Sequence, residues 1–274
     1  MKSLWIKGLI GLALLPGLAG ALELSGPRQQ GGLLEGQVAP GSEVEALGRS
    51  IPVDAAGRFI IGLGRDAPAQ IELRVRSAEA GEVRHQIQIA QRDYAIQHID
   101  GLPSNQVSPD AETLARIRRD GAAVRAARQT RHAERYFDSG WIWPATGPIS
   151  GVYGSQRILN GKPRQPHYGI DIARPTGTPV RAPADGVVTL AADDLFFSGG
   201  TLIVDHGQGL SSSFLHLSAM RVEVGDRVTQ GQVIAEIGAT GRVTGAHLDW
   251  RINWFDQRID PALLVPPMQK AISE

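Results

Sequence analysis

The chain is predicted to be mainly β: a small N-terminal antiparallel β-sandwich, a linker helix, and a larger C-terminal antiparallel β-sheet unit. Three observations carry that prediction. Glycine and proline number 33 and 17 in 274 residues, the turn content of a chain built from many short strands. Apolar and polar residues alternate with period two in most of the runs between those turns. Only one stretch, between residues 109 and 136, combines helix-forming composition with cap signals.

Composition bounds the function before any motif is read. Lys+Arg and Asp+Glu are 28 each, so no bulk charge drives binding to nucleic acid or to an anionic membrane. Hydrophobic residues make up 42% and charged residues 20%, a globular balance rather than a disordered one. Cysteine is absent. That excludes disulfides, thiolate nucleophiles and Cys-ligated metals, so any metal site must use histidine and carboxylates.

Residues 1–21 read as a secretory signal peptide. Lys2 and Lys7 precede or flank the apolar run Leu9–Leu18, and Ala19-Gly-Ala21 supplies the small residues of a cleavage site. Pro16 and Gly17 break the run, which is shorter than the roughly 20 residues of a membrane span. The mature chain is therefore expected to work outside the cytoplasm, in the periplasm, and not as an integral membrane protein.

Residues 22–92 form the accessory sandwich. Leu33–Val38, Ser42–Leu47, Arg58–Ile61, Gln70–Val75 and His85–Ile89 alternate, and Pro40-Gly41, Asp54–Gly57 and Ala80-Gly81 break them apart. Residues 93–140 are a linker with an Arg-rich helix over 109–136: Ser108 caps, Pro109 takes the first helical position, and Asp110 and Glu112 suit the first turn. Leu114, Ile117 and Val124 supply its apolar stripe. Seven arginines face four acids over 110–135; a solvated linker is the plain reading, and contact with an anionic envelope polymer the functional one. Residues 141–267, opened by Trp141-Ile-Trp143-Pro144, carry short β runs at 178–180, 186–190, 201–205, 213–217, 232–237 and 247–252. Residues 268–274 are a tail.

Four of seven histidines lie in this last region. His167 and Asp171 are four residues apart around Gly169. A straight strand would separate them by about 13 Å, so the segment must bend at His167 if both are to meet one ion. His247 and Asp249 stand at i and i+2, on one face of a strand, with Leu248 turned into the core. His216 alternates with Leu215 and Leu217 and should face away from the apolar side. Each histidine alone reads as a hydrogen-bonded strand residue, and His206, in Asp-His-Gly-Gln-Gly, is read that way. Ser211–Ser213 lack a nucleophile elbow and read as a polar turn. Trp250, Arg251 and Asn253 read as packing and surface. Together, three histidines and two aspartates in a cysteine-free β unit suit zinc.

The order of these elements resembles the lysostaphin-type (LytM-like) zinc metalloendopeptidases, secreted peptidoglycan hydrolases. The likeness rests on His167-x-Gly-Ile-Asp171-Ile-Ala, Pro175-x-Gly-Thr-Pro-Val-x-Ala-Pro-Ala-Asp-Gly-Val187 and Phe214-Leu-His216-Leu-Ser. It extends through Val224-Gly-Asp-x-Val-x-x-Gly-Gln232 and Gly238-x-Thr-Gly-Arg-Val-Thr-Gly-x-His247, and covers 141–267. It implies an antiparallel sheet with an open groove, one Zn2+, and hydrolysis of peptide bonds in peptidoglycan, in cross-bridge or stem. Carried over, His167 and Asp171 are metal ligands, and His216 and His247 are catalytic, orienting and deprotonating the attacking water.

The family's third ligand is the second histidine of a His-x-His motif; here that position is Asp249. A carboxylate is an acceptable zinc ligand, so the resemblance implies the ligand set His167, Asp171 and Asp249. Two carboxylates bring the ion's net charge near zero and make Mn2+ or Co2+ more competitive. Phe214 replaces a frequent tyrosine, removing a hydroxyl near the groove. The alternative is an inactive relative that binds the cell wall or activates a peptidoglycan amidase.

Overall fold

Alternation decides the first part of the fold. In the computed structural model, which describes residues 22–99, 110–159 and 161–268, the N-terminal part holds β1 (Glu23–Ser25), β2 (Leu33–Gln37), β3 (Glu43–Ala46), β4 (Arg49–Ile51), β5 (Arg58–Gly62), β6 (Gln70–Ser77) and β7 (Gly81–Gln88). They form two antiparallel sheets, β1-β2-β5 and β4-β3-β6-β7. On β6, Ile71, Leu73 and Val75 point inward and Glu72, Arg74 and Arg76 outward. The outward row pairs across strands, Arg74 with Glu45 at 3.1 Å and Arg76 with Glu43 at 3.4 Å. The expected sandwich is present. β1 and β4, three residues each, are too short for an alternation signal.

The helix is shorter than its sequence suggested. The signal-peptide expectation (1–21), Ser108 and Pro109 lie outside the described residues. The strand β8 (Ile96–Ile99) and then α1 (Ala111–Ala127) follow, with Asp110 as N-cap accepting from the Thr113 amide at 2.7 Å. The helix stops at Ala127, not near residue 136, because the following backbone is claimed by the sheet. The His132 N–H donates to Asp205 Oδ2 at 2.9 Å, and the His132 carbonyl accepts from the Gln208 amide at 2.8 Å. A 3-10 turn, Tyr136–Ser139, completes the linker. The expected apolar stripe is weak: Leu114 is exposed and Ala127 is the buried residue of the helix. Arg116 instead reaches Asp194 at 2.7 Å, and Asp120 accepts from the Phe196 amide at 2.7 Å, tying α1 to a hairpin tip.

The remaining strands are β9 (Ile149–Gly151), β10 (Gln156–Leu159), β11 (Lys162–Pro163), β12 (Ile170–Ala173), β13 (Pro179–Arg181), β14 (Gly186–Leu195) and β15 (Gly199–Gly207). After them come β16 (Leu210–Met220), β17 (Arg227–Val228), β18 (Val233–Ile237), β19 (His247–Trp254) and β20 (Gln257–Ile259). The main sheet runs β17-β14-β15-β16-β19-β12-β9, antiparallel throughout, with β13, β18 and β20 attached. Leu202, Val204, Phe214, Leu248, Trp250 and Ile252 fill the core beneath it. The N-terminal sandwich packs behind it, where a Cβ on Gly62 would lie 2.6 Å from Trp254 Cβ. No helix among the described residues is long and apolar enough to cross a membrane.

His206 is buried, as its solitary position suggested: Nδ1–H donates to the Asp185 carbonyl at 2.6 Å, and Nε2 accepts from Ser212 Oγ at 2.7 Å. Ser211–Ser213 are accordingly not a polar turn but a buried stretch of β16. His206→Ala strands both partners and leaves a void, and should cost about 2–4 kcal/mol. Thermal unfolding of variant and parent checks it; an unchanged Tm would show that these bonds hold nothing.

Candidate active site

The site begins with a strand register. β12 and β19 pair antiparallel with Asp171 directly opposite Asp249, which sets the Cβ atoms of two carboxylate side chains about 5 Å apart on one face. Such a pair repels unless a cation lies between. His167 arrives from the loop before β12, held by its own N–H on Ser155 O and by the Gly154 amide on its carbonyl, each at 2.8 Å. The expected bend is there. His167 Nε2 lies 3.1 Å from Asp171 Oδ1 and 3.6 Å from Asp249 Oδ2.

Two glycines make the room. A Cβ on Gly151 would fall 2.2 Å from Asp171 Oδ2, and one on Gly169 would fall 2.5 Å from Asp249 Oδ1. The three donor atoms lie within 4.8 Å of one another. His167 Nε2 and Asp171 Oδ1 are close but out of line for a hydrogen bond, and both are buried without a partner. Buried polar atoms are seldom left unmatched. Burial lowers the His167 pKa, but the Asp171 and Asp249 carboxylates outweigh that and push it up to about 10. The field of this cluster calls for a cation, and one nitrogen with two carboxylate oxygens is a donor set that zinc accepts.

His247 stands two residues before Asp249 on the same face, its Nε2 3.8 Å from Asp171 Oδ1, and Leu248 is buried behind it. His216 joins by a different route from the one alternation suggests. Leu215 is opposite Asp249, so strict alternation would send His216 to the far side. Instead the backbone turns left-handed at His216, with φ 65°, where the pairing of β16 with β15 slips between Phe214 and Leu217. The ring then lies against that of His247, centroids 4.8 Å apart and planes tilted by 49°.

All three histidines share one arrangement. Nδ1 of His167, His216 and His247 meets the carbonyl of Val152, Thr240 and Gly245 at 3.2, 2.9 and 2.9 Å. A carbonyl only accepts, so each Nδ1 carries a proton; Nε2 of His167 then faces the two carboxylates, and Nε2 of a neutral His216 or His247 ring is left to accept.

Residues 165–261 match the family model described as Peptidase family M23. The crystal structure of a Pseudomonas aeruginosa protein assigned to peptidase M23 is similar at 32% identity and TM-score 0.67, over 86% of this chain and 94% of that one. The chain belongs to peptidase family M23. It is 41% identical over 113 residues to the peptidoglycan DD-endopeptidase ShyA of Vibrio cholerae, covering 39% of this chain and 26% of that protein. It is also 40% identical over 101 residues to the DD-carboxypeptidase/endopeptidase Mpg of Neisseria meningitidis, covering 37% and 23%. The matches span about a quarter of the length of these curated relatives.

Within this M23 chain two sequence readings change. Phe214 is fully buried, opposite Trp250 in the core, so its missing hydroxyl does not border the groove. Arg251 is half-buried and engaged rather than a free surface residue: it grips Asp249 with both arms, Nε 2.9 Å from Oδ1 and a terminal nitrogen 2.5 Å from Oδ2. The spacing held the signal, since i and i+2 on a strand share a face and an acid and a base there meet. Burial raises the Asp249 pKa, but the Arg251 charge and His167 outweigh it and hold the carboxyl well below its usual range.

Arg251→Ala leaves Asp249 buried with one cationic neighbour fewer. The expected loss is about 1–3 kcal/mol, less than the ~3–5 of a fully buried pair because Arg251 is partly exposed. Denaturant unfolding in chelator measures it; no loss would mean that Asp249 does not depend on Arg251.

Proposed function

We propose that this chain is a zinc-dependent endopeptidase that hydrolyses peptide bonds in peptidoglycan, working in the cell envelope. The observation that carries the reading is the convergence of His167, Asp171 and Asp249 donor atoms with two further imidazoles whose Nε2 atoms are free. Family membership supplies the peptidase chemistry, and the relative ShyA is named for peptidoglycan. In this reading residues 141–267 are the peptidase unit, 22–92 an accessory domain and 93–140 a linker.

His167, Asp171 and Asp249 would hold the ion. When bound, zinc polarises a carbonyl and makes water easier to deprotonate. The chain's own residues do the rest. His216 Nε2 accepts the proton of the attacking water, and His247 steadies the oxygen that develops charge and helps return the proton to the leaving amine. Their Nδ1–H bonds fix both rings in the tautomer this needs. Gly151 and Gly169 leave room for the two carboxylates.

Digestion of purified sacculi by the chain from Leu22 tests the reading. Muropeptides cut at peptide bonds should be released with zinc and vanish with chelator. Sacculi left intact under both conditions would contradict it and favour the inactive, wall-binding alternative. Asp249→Ala should weaken zinc binding by about 10-fold or more, read by competition with a chromogenic chelator; unchanged affinity would remove Asp249 from the ligand set.

Burial lowers the pKa of His216, so the ring stays neutral, and able to accept a proton, below the ordinary histidine value of about 6.5. The acid limb of kcat/KM should therefore lie below that value. A limb at or above it would assign the proton acceptor elsewhere.

A further inference from the structure

Beyond Asp249, the active-site face continues as a row of guanidinium groups. Arg251 follows Asp249 at i+2, and Ser213 lies directly across from it on β16. Arg128, at the C-terminal end of α1, donates to Ser213 Oγ at 3.0 Å, which brings it over Arg251. Asn253 is the next residue of β19 on this face, and it is opposite Arg258 of β20, whose terminal nitrogen donates to Asn253 Oδ1 at 2.8 Å. Tyr168, the neighbour of His167, lies under the Arg258 guanidinium at 5.4 Å. Three cations from three elements thus meet at the edge of the metal-competent cluster.

Only one of the three is neutralised. Arg251 has Asp249, whereas among the described residues neither Arg128 nor Arg258 lies within ion-pair distance of a carboxylate; their hydrogen bonds go to a hydroxyl and an amide. Both are half-buried, and Arg128 Nε is buried without any partner. Burial, with Arg258 and Arg251 nearby, pushes Arg128 down to about 9, and burial with Arg251 pushes Arg258 down to about 10; both remain protonated at neutral pH. Massing like charges with an unmatched donor costs stability, and an arginine fork is shaped to take a carboxylate through two parallel bonds.

We infer that Arg128 and Arg258, flanking Arg251, form a subsite for a free carboxylate of the peptide substrate. This rests on the endopeptidase reading above. Residues i and i+2 of a strand are about 6.5–7 Å apart, so a carboxylate held beside Arg251 would sit about two residues of extended chain from a bond placed at the cluster. The subsite would select peptides by an anionic group close to the scissile bond. A neutral glycan would leave the guanidinium charges unmatched.

The test uses the zinc-loaded full chain and a cross-linked muropeptide, with its carboxylates intact or converted to amides, the C-terminal and side-chain groups modified in separate arms. For Arg128→Gln and Arg258→Gln, KM for the intact substrate should rise about 10-fold, the worth of one charge-assisted contact, with kcat unchanged. Amidation of the recognised carboxylate should raise KM for the parent to a similar extent, and should add nothing in the double variant. The arm showing this identifies the carboxylate.

Equal KM of the parent for all substrates, or additive effects of mutation and amidation, would overturn the proposal. So would a lowered Tm in the variants with discrimination intact, since that marks a structural residue; removal of an unpaired charge should leave Tm the same or higher. If the parent cleaves neither substrate, the endopeptidase reading has failed on its own. Calorimetric titration with D-alanyl-D-alanine and its amide then decides the subsite: tighter binding of the free acid, lost in the double variant, supports it, and no difference rejects it.

Discussion

The antiparallel register of β12 against β19 is the constraint from which the site follows. It sets Asp171 opposite Asp249, and a slip of one residue would turn one of the two carboxylates toward the core. The register is fixed from behind, where Ile172 and Leu248 pair on the buried face beside the fully buried Trp250. The apolar half of each strand therefore enforces the position of the polar half. Gly151 and Gly169 extend the same logic, because a side chain at either would strike a carboxylate oxygen.

Asp249 stands where the resemblance implies a histidine ligand, and Arg251 is bonded to it. An added carboxylate lowers the charge left on a bound cation, and a guanidinium bonded to the outer edge of that carboxylate draws some of it back. The two residues are adjacent on one strand face and bonded at 2.5–3.0 Å, so in the proposed ligand set Arg251 would be the support of Asp249. Asp249 Oδ2 also lies 3.6 Å from His167 Nε2.

Much of this was legible in the sequence, for physical reasons. Alternation in Gln70–Val75 and His247–Ile252 exposes strands because one face of each is buried. The separation of His167 from Asp171 required a bend, since a straight strand could not close that distance. Other features were invisible to periodicity. His216 reaches the site through a left-handed residue that reverses alternation, and only the resemblance to known peptidases pointed to it. The end of α1 at Ala127 depends on Asp205, some 70 residues away, a tertiary capture that local helix propensity does not register. Arg128 enters the site face from the linker for the same reason.

The most direct measurement is anomalous diffraction at the zinc edge from crystals of the zinc-loaded chain. A single peak about 2.0–2.2 Å from His167 Nε2 and from one oxygen each of Asp171 and Asp249, with Arg251 still on Asp249, is the predicted result. A peak bound by other residues, or by His167 and Asp171 with Asp249 out of reach, would contradict the account.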